Sequence, residues 1–179
     1  LPIRLVLPAD VGIDLAVEET GSTYAENAAL KAAAYCQASG LVTLADDSGL
    51  EVDALNGAPG LHSARYVPRP GATDADRRAY LLQNLRGGGF PRPWAARFRC
   101  VVAVLVPGGE MQFREGRVEG EIWPEERGSN GFGYDPLFFI PARGQTMAEL
   151  PDGVKNRISH RGLAVAQTRA LLAEIFRVS

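Results

Sequence analysis

Residues 41–55 read LVTLADDSGLEVDAL and combine a strand pattern with a dense group of carboxylates. The apolar run at residues 41–45 predicts a short buried strand. It leads directly into Asp46-Asp47-Ser48-Gly49, where the apolar pattern stops. From residue 50 to residue 54, apolar Leu, Val and Ala alternate with Glu and Asp, which is typical of a half-buried strand. The stretch therefore predicts β-structure on both sides of an acidic pair.

Helices and further strands alternate on both sides of this stretch. Thr23 and Glu26 have the spacing of a capping box, so the Ala-rich residues 24–38 predict a helix that ends at Gly40. The other predicted elements are a strand at 3–7, a helix at 73–85, strands at 96–106, 110–122 and 137–140, and a helix at 159–176.

Interleaved helices and strands, with a hairpin between the two long strands, predict an α/β fold in which a mixed β-sheet is flanked by helices. The 179 residues contain 46% hydrophobic and 22% charged side chains, which is the balance of an ordinary globular domain. No internal repeat or long linker interrupts the chain. We therefore expect a single domain over residues 1–179.

Composition and charge exclude several classes of partner. No apolar run approaches the roughly 18 residues that a membrane span needs. The 19 basic and 21 acidic side chains leave a net charge of -2, which gives no general attraction to nucleic acid or an anionic membrane. Any phosphate site must therefore be a local cluster. Cys36 and Cys100 are too few for a disulfide framework, so we expect buried free thiols and a reducing compartment.

The acidic pair Asp46 and Asp47 is the first candidate site. Ligand sites of α/β sheets lie where strands end, and two adjacent carboxylates repel each other unless a cation neutralises them. Hard oxygen ligands suit Mg²⁺, which takes one or two carboxylates together with substrate phosphates. The alternative is a turn, because Asp-Asp-Ser-Gly is also good turn chemistry.

Lys31 lies in the alanine-rich part of the first predicted helix and needs an anion to accompany it. A phosphate or one of the nearby acids, Glu18, Glu19 and Glu26, would serve, and the spacing does not choose between them. For Glu26, the alternative is a purely structural role in the capping box.

Two further segments combine groups that suit a nucleotide. In GFGYDP, residues 131–136, glycines allow close approach, aromatic rings can cover a base, and Asp135 can accept hydrogen bonds. In KNRISHR, residues 155–161, basic side chains precede a predicted helix, whose N-terminus adds to a positive pocket. The alternatives are a packed turn and a solvated basic turn.

Other catalytic chemistries lack support in the sequence. His62 has no second histidine or cysteine at the spacing of a metal site. Neither cysteine has an adjacent histidine, Ser48 lacks the Gly-x-Ser-x-Gly frame, and no Walker-type phosphate loop is present.

Five segments, taken together, closely resemble the dITP/XTP pyrophosphatase family, the RdgB-like inosine triphosphate pyrophosphatases. They follow the family's order and span nearly the whole chain. The segments are ETGSTYAENA at 19–28, LADDSGLEVDAL at 44–55, GAPGLHSARY at 57–66, GFGYDPLF at 131–138 and KNRISHRG at 155–162.

The resemblance implies Mg²⁺-dependent hydrolysis of non-standard purine nucleoside triphosphates (ITP, dITP and XTP) to the monophosphate and pyrophosphate. It also implies a cytoplasmic homodimer and an elongated, two-lobed fold with a substrate cleft between the lobes. The family usually opens with a strand and a Thr/Ser-Gly-Asn-x-x-Lys phosphate loop, which this sequence does not contain. We expect that the sequence omits this opening, and residues 3–7 then resemble the family's second strand.

The resemblance also assigns roles to individual residues. Asp47 matches the general base and metal-associated aspartate, with Asp46 beside it, and Glu19 matches the metal-binding glutamate. Glu26 and Lys31 fall at motif positions near the phosphates, so we expect Glu26 to be a metal ligand and Lys31 a catalytic residue. The positions that match substrate contacts are Ser48, Phe132, Gly133, Tyr134, Asp135, Lys155, His160 and Arg161.

These roles agree with the chemistry of the residue types. A carboxylate-held Mg²⁺ neutralises a triphosphate while a second carboxylate activates water for attack at the α-phosphorus. Inosine and xanthine carry a 6-carbonyl that donors such as His160 or Arg161 can meet, whereas adenine carries an amine. Three rival hypotheses are a nucleotide-binding protein without turnover, a Maf-type pyrophosphatase acting on modified pyrimidines, and a purely structural protein-interaction domain.

Overall fold

The computed structural model describes residues 3–176. Its five strands form one sheet in the order β1-β2-β3-β4-β5. The strands are β1 (Thr43–Val52), β2 (Trp94–Leu105), β3 (Gln112–Ile122), β4 (Phe138–Ile140) and β5 (Gln145–Thr146). The helices are α1 (Tyr24–Ser39), α2 (Asp74–Gly87), α3 (Asp152–Ile158) and α4 (His160–Ile175).

The sheet follows chain order. The β3–β4 pair is antiparallel with Glu121 opposite Phe139, and the β4–β5 pair is antiparallel with Phe139 opposite Thr146. Helices pack on this sheet through buried side chains. The predicted α/β class, a β-sheet flanked by helices, is confirmed. The predicted cleft between two lobes stays a prediction.

The chain forms two compact units, and each has its own core. In the described part of the chain, the first unit comprises residues 3–47, 100–116 and 163–176, and the second comprises residues 48–99 and 117–162. The main core of the first unit is Cys100, Val102, Val104, Ala164, Leu171 and Leu172. The second unit is built around a larger core that includes Leu50, Val52, Leu81, Leu85, Phe98 and Phe138.

Local signals set the ends of helices α1 and α2. The Thr23 hydroxyl accepts the Glu26 N–H at the start of α1, and Gly40 ends that helix at φ 67°, in the left-handed conformation that glycine tolerates best. Thr73 and Asp76 form a reciprocal capping box at the start of α2. The helices predicted at 24–38 and 73–85 are therefore confirmed to within two residues at each end.

The strand predicted at residues 3–7 is wrong. The structure assigns no strand there, and a short 3-10 helix follows at Pro8–Val11. The side chains of Leu5 and Leu7 are 78% and 70% exposed, whereas Ile3 packs partly buried against the core of the first unit, so only part of the run is covered. An apolar run becomes a strand only where a neighbour accepts its backbone hydrogen bonds, and none of the five strands pairs with it.

The acidic pair does not follow a strand but lies inside one. β1 continues through the predicted break at Asp46-Asp47-Ser48-Gly49 to Val52. The ladder uses backbone groups, so pairing in the sheet overrides the turn preference of these side chains. Because side chains alternate along a strand, Asp46 and Asp47 project to opposite faces, and the expected repulsion between adjacent carboxylates is weakened.

The helix predicted at residues 159–176 is confirmed to within one residue as α4, and a short helix that was not predicted, α3, precedes it. Ser159 has extended backbone (φ -68°, ψ 156°) between α3 and α4, and its hydroxyl accepts the Gly162 N–H at 3.1 Å. The basic segment that was expected to precede the helix therefore lies partly within α3, which begins after Pro151. The cap breaks the helical path because the serine side chain satisfies an N–H at the start of α4.

Cys36 and Cys100 are buried free thiols, as predicted. Between residues 3 and 176, no helix is both long enough and apolar enough to cross a membrane.

Candidate active site

The first unit holds a group of polar side chains that we call the acidic cluster: Glu19, Asn27, Lys31 and Asp47. The Lys31 ammonium lies 2.8 Å from Glu19 Oε1 and 3.2 Å from Asp47 Oδ1. The Asn27 amide donates to the other Asp47 oxygen, Oδ2, at 3.2 Å. Both oxygens of the buried Asp47 carboxylate are therefore held by donors.

Helix α1 positions this cluster. Asn27 and Lys31 are four residues apart, so they lie on the same face of the helix. The Gly21 N–H donates to Asn27 Oδ1 at 2.8 Å, which fixes the amide so that its Nδ2 faces Asp47. A Cβ at Gly21 would come within 2.7 Å of Asn27 Oδ1, so only glycine allows this approach.

Lys31 is charged in this setting. Burial lowers the pKa of its ammonium, but the hydrogen bond and charge of Glu19, with the charge of Asp47, outweigh burial and raise the pKa above its ordinary value. The sequence left open whether a phosphate or a nearby acid accompanies Lys31. In the structure, two acids accompany it, and one of them is Asp47.

The acidic cluster fits a hard divalent cation. The Glu19 and Asp47 carboxylates converge on one positive charge, the Lys31 ammonium, and oxygen donors of this kind suit Mg²⁺. Within the described residues, no group of three or more His, Cys, Asp or Glu side chains is arranged to hold a metal ion. Two carboxylates are consistent with Mg²⁺, which takes the rest of its ligands from water and substrate phosphates.

Glu26 has a different environment from the cluster. Its carboxylate accepts the Ser22 N–H at 2.6 Å and the Ser22 hydroxyl at 2.7 Å. These hydrogen bonds from Ser22 lower the pKa of Glu26. The structure thus gives Glu26 a role in holding the start of α1, and its role as a metal ligand stays a prediction.

Asp46 contacts a buried thiol. The Cys100 Sγ lies 3.6 Å from Asp46 Oδ2, within the first unit. Asp46 therefore ties β1 to β2, whereas Asp47 meets the side chains of α1. The catalytic role of Asp46 stays a prediction.

The second unit holds what we call the aromatic–basic cluster: Ser48, Phe132, Asp135, Lys155 and Arg161. The Lys155 ammonium lies 4.8 Å from the centre of the Phe132 ring, and the Arg161 guanidinium carbon lies 5.7 Å from it. Lys155 also pairs with Asp135. Arg161 donates to the Ser48 hydroxyl at 3.1 Å. The structure thus brings together residues from three separate sequence segments.

A tight loop presents the Phe132 ring. The Phe132 N–H donates to Asp135 Oδ2 at 2.9 Å. Gly131 has φ +77°, and a Cβ there would lie 2.1 Å from Asp135 Oδ2 and 2.4 Å from Lys155 Nζ. Glycine therefore fits beside the Asp135–Lys155 ion pair without backbone strain and without displacing either side chain.

The two aromatic residues of this loop differ in exposure. The Phe132 side chain is 61% exposed, whereas Tyr134 is 4% exposed and belongs to the core of the second unit. The Tyr134 hydroxyl donates to the Ser63 carbonyl at 2.9 Å, and burial raises its pKa. Phe132 is thus the ring with a face open to a ligand.

His160 is 8% exposed, and its ring stacks on Phe98 at 4.6 Å between ring centres. It begins α4, one residue before Arg161. Stacking fixes the plane of the imidazole ring.

Sequence reasoning missed Asn27, although it is the second residue of the ENA run at 26–28 and lies four positions before Lys31. The spacing of four residues, which places both side chains on one face of the predicted helix, was the signal that could have identified Asn27. The contacts of Gly133 with α2 were also missed, because residues about 60 positions apart give no local pattern.

Comparisons with known sequences and solved structures identify a family for this chain. A sequence model of the Ham1 family matches residues 3–171. The chain belongs to the Ham1 family. Relatives in this family include proteins named dITP/XTP pyrophosphatase from Bacillus licheniformis and Listeria innocua. The first is 47% identical over 163 residues, covering 91% of this chain and 82% of the relative. The second is 51% identical over 159 residues, covering 89% and 77%.

Solved Ham1 structures share the fold. A HAM1 protein from Coxiella burnetii matches with a TM-score of 0.90 at 43% identity, covering 97% of this chain and 88% of that one. The Staphylococcus aureus Ham1 protein matches with a TM-score of 0.83 at 44% identity, covering 90% and 82%. The resemblance drawn from the five sequence segments is therefore confirmed.

Proposed function

We propose that this protein hydrolyses non-standard purine nucleoside triphosphates (ITP, dITP and XTP) to the monophosphate and pyrophosphate. Two of its Ham1 relatives are named dITP/XTP pyrophosphatase. The observation that carries the proposal is the convergence of the Glu19 and Asp47 carboxylates on one cation position, with a fixed Asn27 amide beside them.

Glu19 and Asp47 are the residues that would hold Mg²⁺, and Glu26 is the further predicted ligand. When bound, Mg²⁺ neutralises charge on the triphosphate and on the leaving pyrophosphate. Lys31 already places one positive charge between the same two carboxylates. We expect its ammonium to turn toward the phosphates once a divalent cation occupies the site.

Asp47 is the proposed general base. The Asn27 amide holds Oδ2, so the carboxylate keeps its orientation when Lys31 turns toward the phosphates and leaves Oδ1 free to accept a proton. Water attacks the α-phosphorus, its proton passes to Asp47, and the bond to the β-phosphate oxygen breaks to release pyrophosphate. Asp46, on the other face of β1, has a supporting role in this scheme.

The aromatic–basic cluster is the proposed binding site for the purine base of the substrate. The exposed face of Phe132 stacks on the purine, and Lys155 and Arg161 supply donors for a 6-carbonyl. Gly133 belongs to the loop that presents Phe132, and the Ser48 hydroxyl accepts a hydrogen bond from Arg161. His160 precedes Arg161 at the start of α4. An adenine amine facing these donors would leave them unpaired, which costs about 1–3 kcal/mol.

A substrate panel tests this function. Pyrophosphate release is measured from ITP, dITP, XTP, ATP, GTP, dTTP and UTP, each with Mg²⁺ and with EDTA. We expect release from the first three with Mg²⁺. Preference for dTTP or UTP would favour a Maf-type pyrophosphatase, and ITP binding without release would favour a nucleotide-binding protein.

We also propose that the protein is a cytoplasmic homodimer, as the family resemblance implies. Light scattering of the purified protein measures its mass in solution, and a monomer at micromolar concentration would contradict the dimer. Cell fractionation tests the compartment.

A further inference from the structure

Two side chains of α2 hold both backbone polar groups of Gly133. Asp74 Oδ2 accepts the Gly133 N–H at 2.7 Å, and Arg78 Nη1 donates to the Gly133 carbonyl at 2.8 Å. Asp74 and Arg78 are four residues apart, so they project from the same face of the helix. We call this pair the α2 clamp. All of its contacts lie within the second unit.

Further hydrogen bonds fix the Asp74 side chain of the clamp. Arg77 pairs with the other oxygen of Asp74, and also donates to the carbonyls of Ala64 at 3.0 Å and Ala72 at 2.8 Å. The hydrogen bond from Arg77, followed by that from Gly133, lowers the pKa of Asp74, so the carboxylate is charged at neutral pH.

Arg78 is fixed in a similar way. Its Nε lies 2.9 Å from Glu126 Oε1, and only 13% of the Arg78 side chain is exposed. The ion pair with Glu126 and the hydrogen bond to the Gly133 carbonyl hold the guanidinium from two sides.

The loop needs such support. Gly131 and Gly133 have φ of 77° and 60°, and glycine loses more conformational freedom on folding than any other residue. The Phe132 ring between them is 61% exposed, and it contacts Lys155 and Arg161 but is not buried in the core. Its position is set by the backbone, through Asp135 on one side and the α2 clamp on the other.

We propose that Asp74 and Arg78 are positioning residues that hold loop 131–134 so that Phe132 faces the purine base. This inference rests on the proposed function, since it assigns the clamp to base recognition. Neither residue touches the reacting phosphates in this scheme. Loss of the clamp should weaken substrate binding and leave the chemical step intact.

Amide hydrogen exchange tests the clamp without any substrate. In Arg78→Met, we expect exchange at the Gly133 and Phe132 amides to rise by about tenfold or more, because the Gly133 carbonyl loses its donor and the loop that carries both amides opens more often. Arg78→Lys keeps a cationic donor and should give a smaller rise. Asp74→Asn keeps the side-chain shape, removes the charge and serves as a second variant should Arg78→Met fold poorly.

Arg86→Met is the matched control. Arg86 lies on the same helix and donates to the Pro124 carbonyl at 2.7 Å, so the substitution removes an equivalent hydrogen bond elsewhere. Exchange at Gly133 should be unchanged in this variant. An equal rise in the control would mean that α2 stability alone controls the loop, which would overturn the proposal.

Kinetic measurements test whether the α2 clamp affects recognition of the purine base. For Arg78→Met, we expect the KM for ITP to rise by about tenfold and the preference for ITP over ATP to fall, with kcat within about twofold. Arg78→Lys should recover part of the KM. If exchange at Gly133 rises while KM and the ITP preference stay unchanged, the positioning role is wrong and the proposed function stands. If the wild-type protein releases no pyrophosphate from any purine nucleotide, the proposed function fails and the positioning role fails with it.

Discussion

At the scale of single residues, Asp47 has the most defined environment in the acidic cluster, because both of its oxygens have donors. Lys31 and Asn27 supply those donors from one face of α1. A sequence reading could identify Asp47 and Lys31 as unusual residues, but not as partners. Their contact depends on how β1 packs against α1, and no spacing along the chain encodes it.

Asp47→Asn keeps the size of the side chain and removes the proposed base. We expect kcat for ITP to fall by about 10²- to 10⁴-fold, the range that general base catalysis contributes. Pyrophosphate release at saturating ITP is the measurement. Asp53→Asn, at an acid just beyond β1 that pairs with Arg97, is the control and should retain activity. Activity within tenfold of wild type in Asp47→Asn would contradict the base assignment.

Gly131→Ala tests the crowding beside the Asp135–Lys155 pair. Any alanine at φ +77° costs about 1 kcal/mol in backbone strain, and here the added Cβ would also meet Asp135 and Lys155. We expect a loss of about 2–3 kcal/mol in the free energy of unfolding, measured with urea.

Gly108→Ala provides the comparison. Gly108 has φ +73° with no atom within 4 Å of an added Cβ, so this variant carries the backbone strain alone. Equal losses in the two variants would show that the ion pair moves aside without cost.

At the scale of elements, the two long helices were predictable because their ends are marked locally. Thr23, Gly40 and Thr73 each act within four residues of themselves. The absence of a strand at residues 3–7 and the length of β1 depend on pairing with distant parts of the chain. The apolar pattern favoured a strand at residues 3–7, and turn chemistry favoured a break in β1. Both predictions were wrong because these patterns describe side chains and not the backbone partners of a strand.

The capping box of α2 makes the stability of the protein depend on pH in the acidic range. Hydrogen bonds from Thr73, the backbone N–H first, lower the pKa of Asp76 below its ordinary value of 3.8. Its stabilising contribution is therefore complete above pH 3.8 and is lost as the pH falls through the lowered folded-state pKa.

Asp76→Asn should therefore destabilise the protein near neutral pH, and the difference from wild type should shrink as the pH falls below 3.8. Urea unfolding at a series of pH values from 7 to 3 measures this difference. Glu125→Gln, at an exposed carboxylate outside the helices, is the control. A difference that is constant with pH would mean that the charge of Asp76 does not contribute.

At the scale of the whole molecule, Lys31 gives the acidic cluster an internal countercharge. The two carboxylates are neutralised in part without any metal. Activity and stability should therefore respond differently to removal of divalent cations.

EDTA should abolish pyrophosphate release from ITP and shift the thermal midpoint of the substrate-free protein by less than about 2 °C, which corresponds to less than about 1 kcal/mol. Differential scanning fluorimetry measures the midpoint. Restoring Mg²⁺ should restore activity. A large loss of thermal stability in EDTA would mean that the fold depends on the metal and that Lys31 does not substitute for its charge.

The continuity of β1 also limits how this protein can vary. Substitutions at its solvent-facing positions leave the strand in place, but a deletion of a single residue ahead of Asp46 would exchange the faces of every later side chain. Asp47 would then point toward the Cys100 side and lose Asn27 and Lys31. Variant libraries of this enzyme should therefore sample β1 by substitution at fixed length and reserve insertions for the connecting loops.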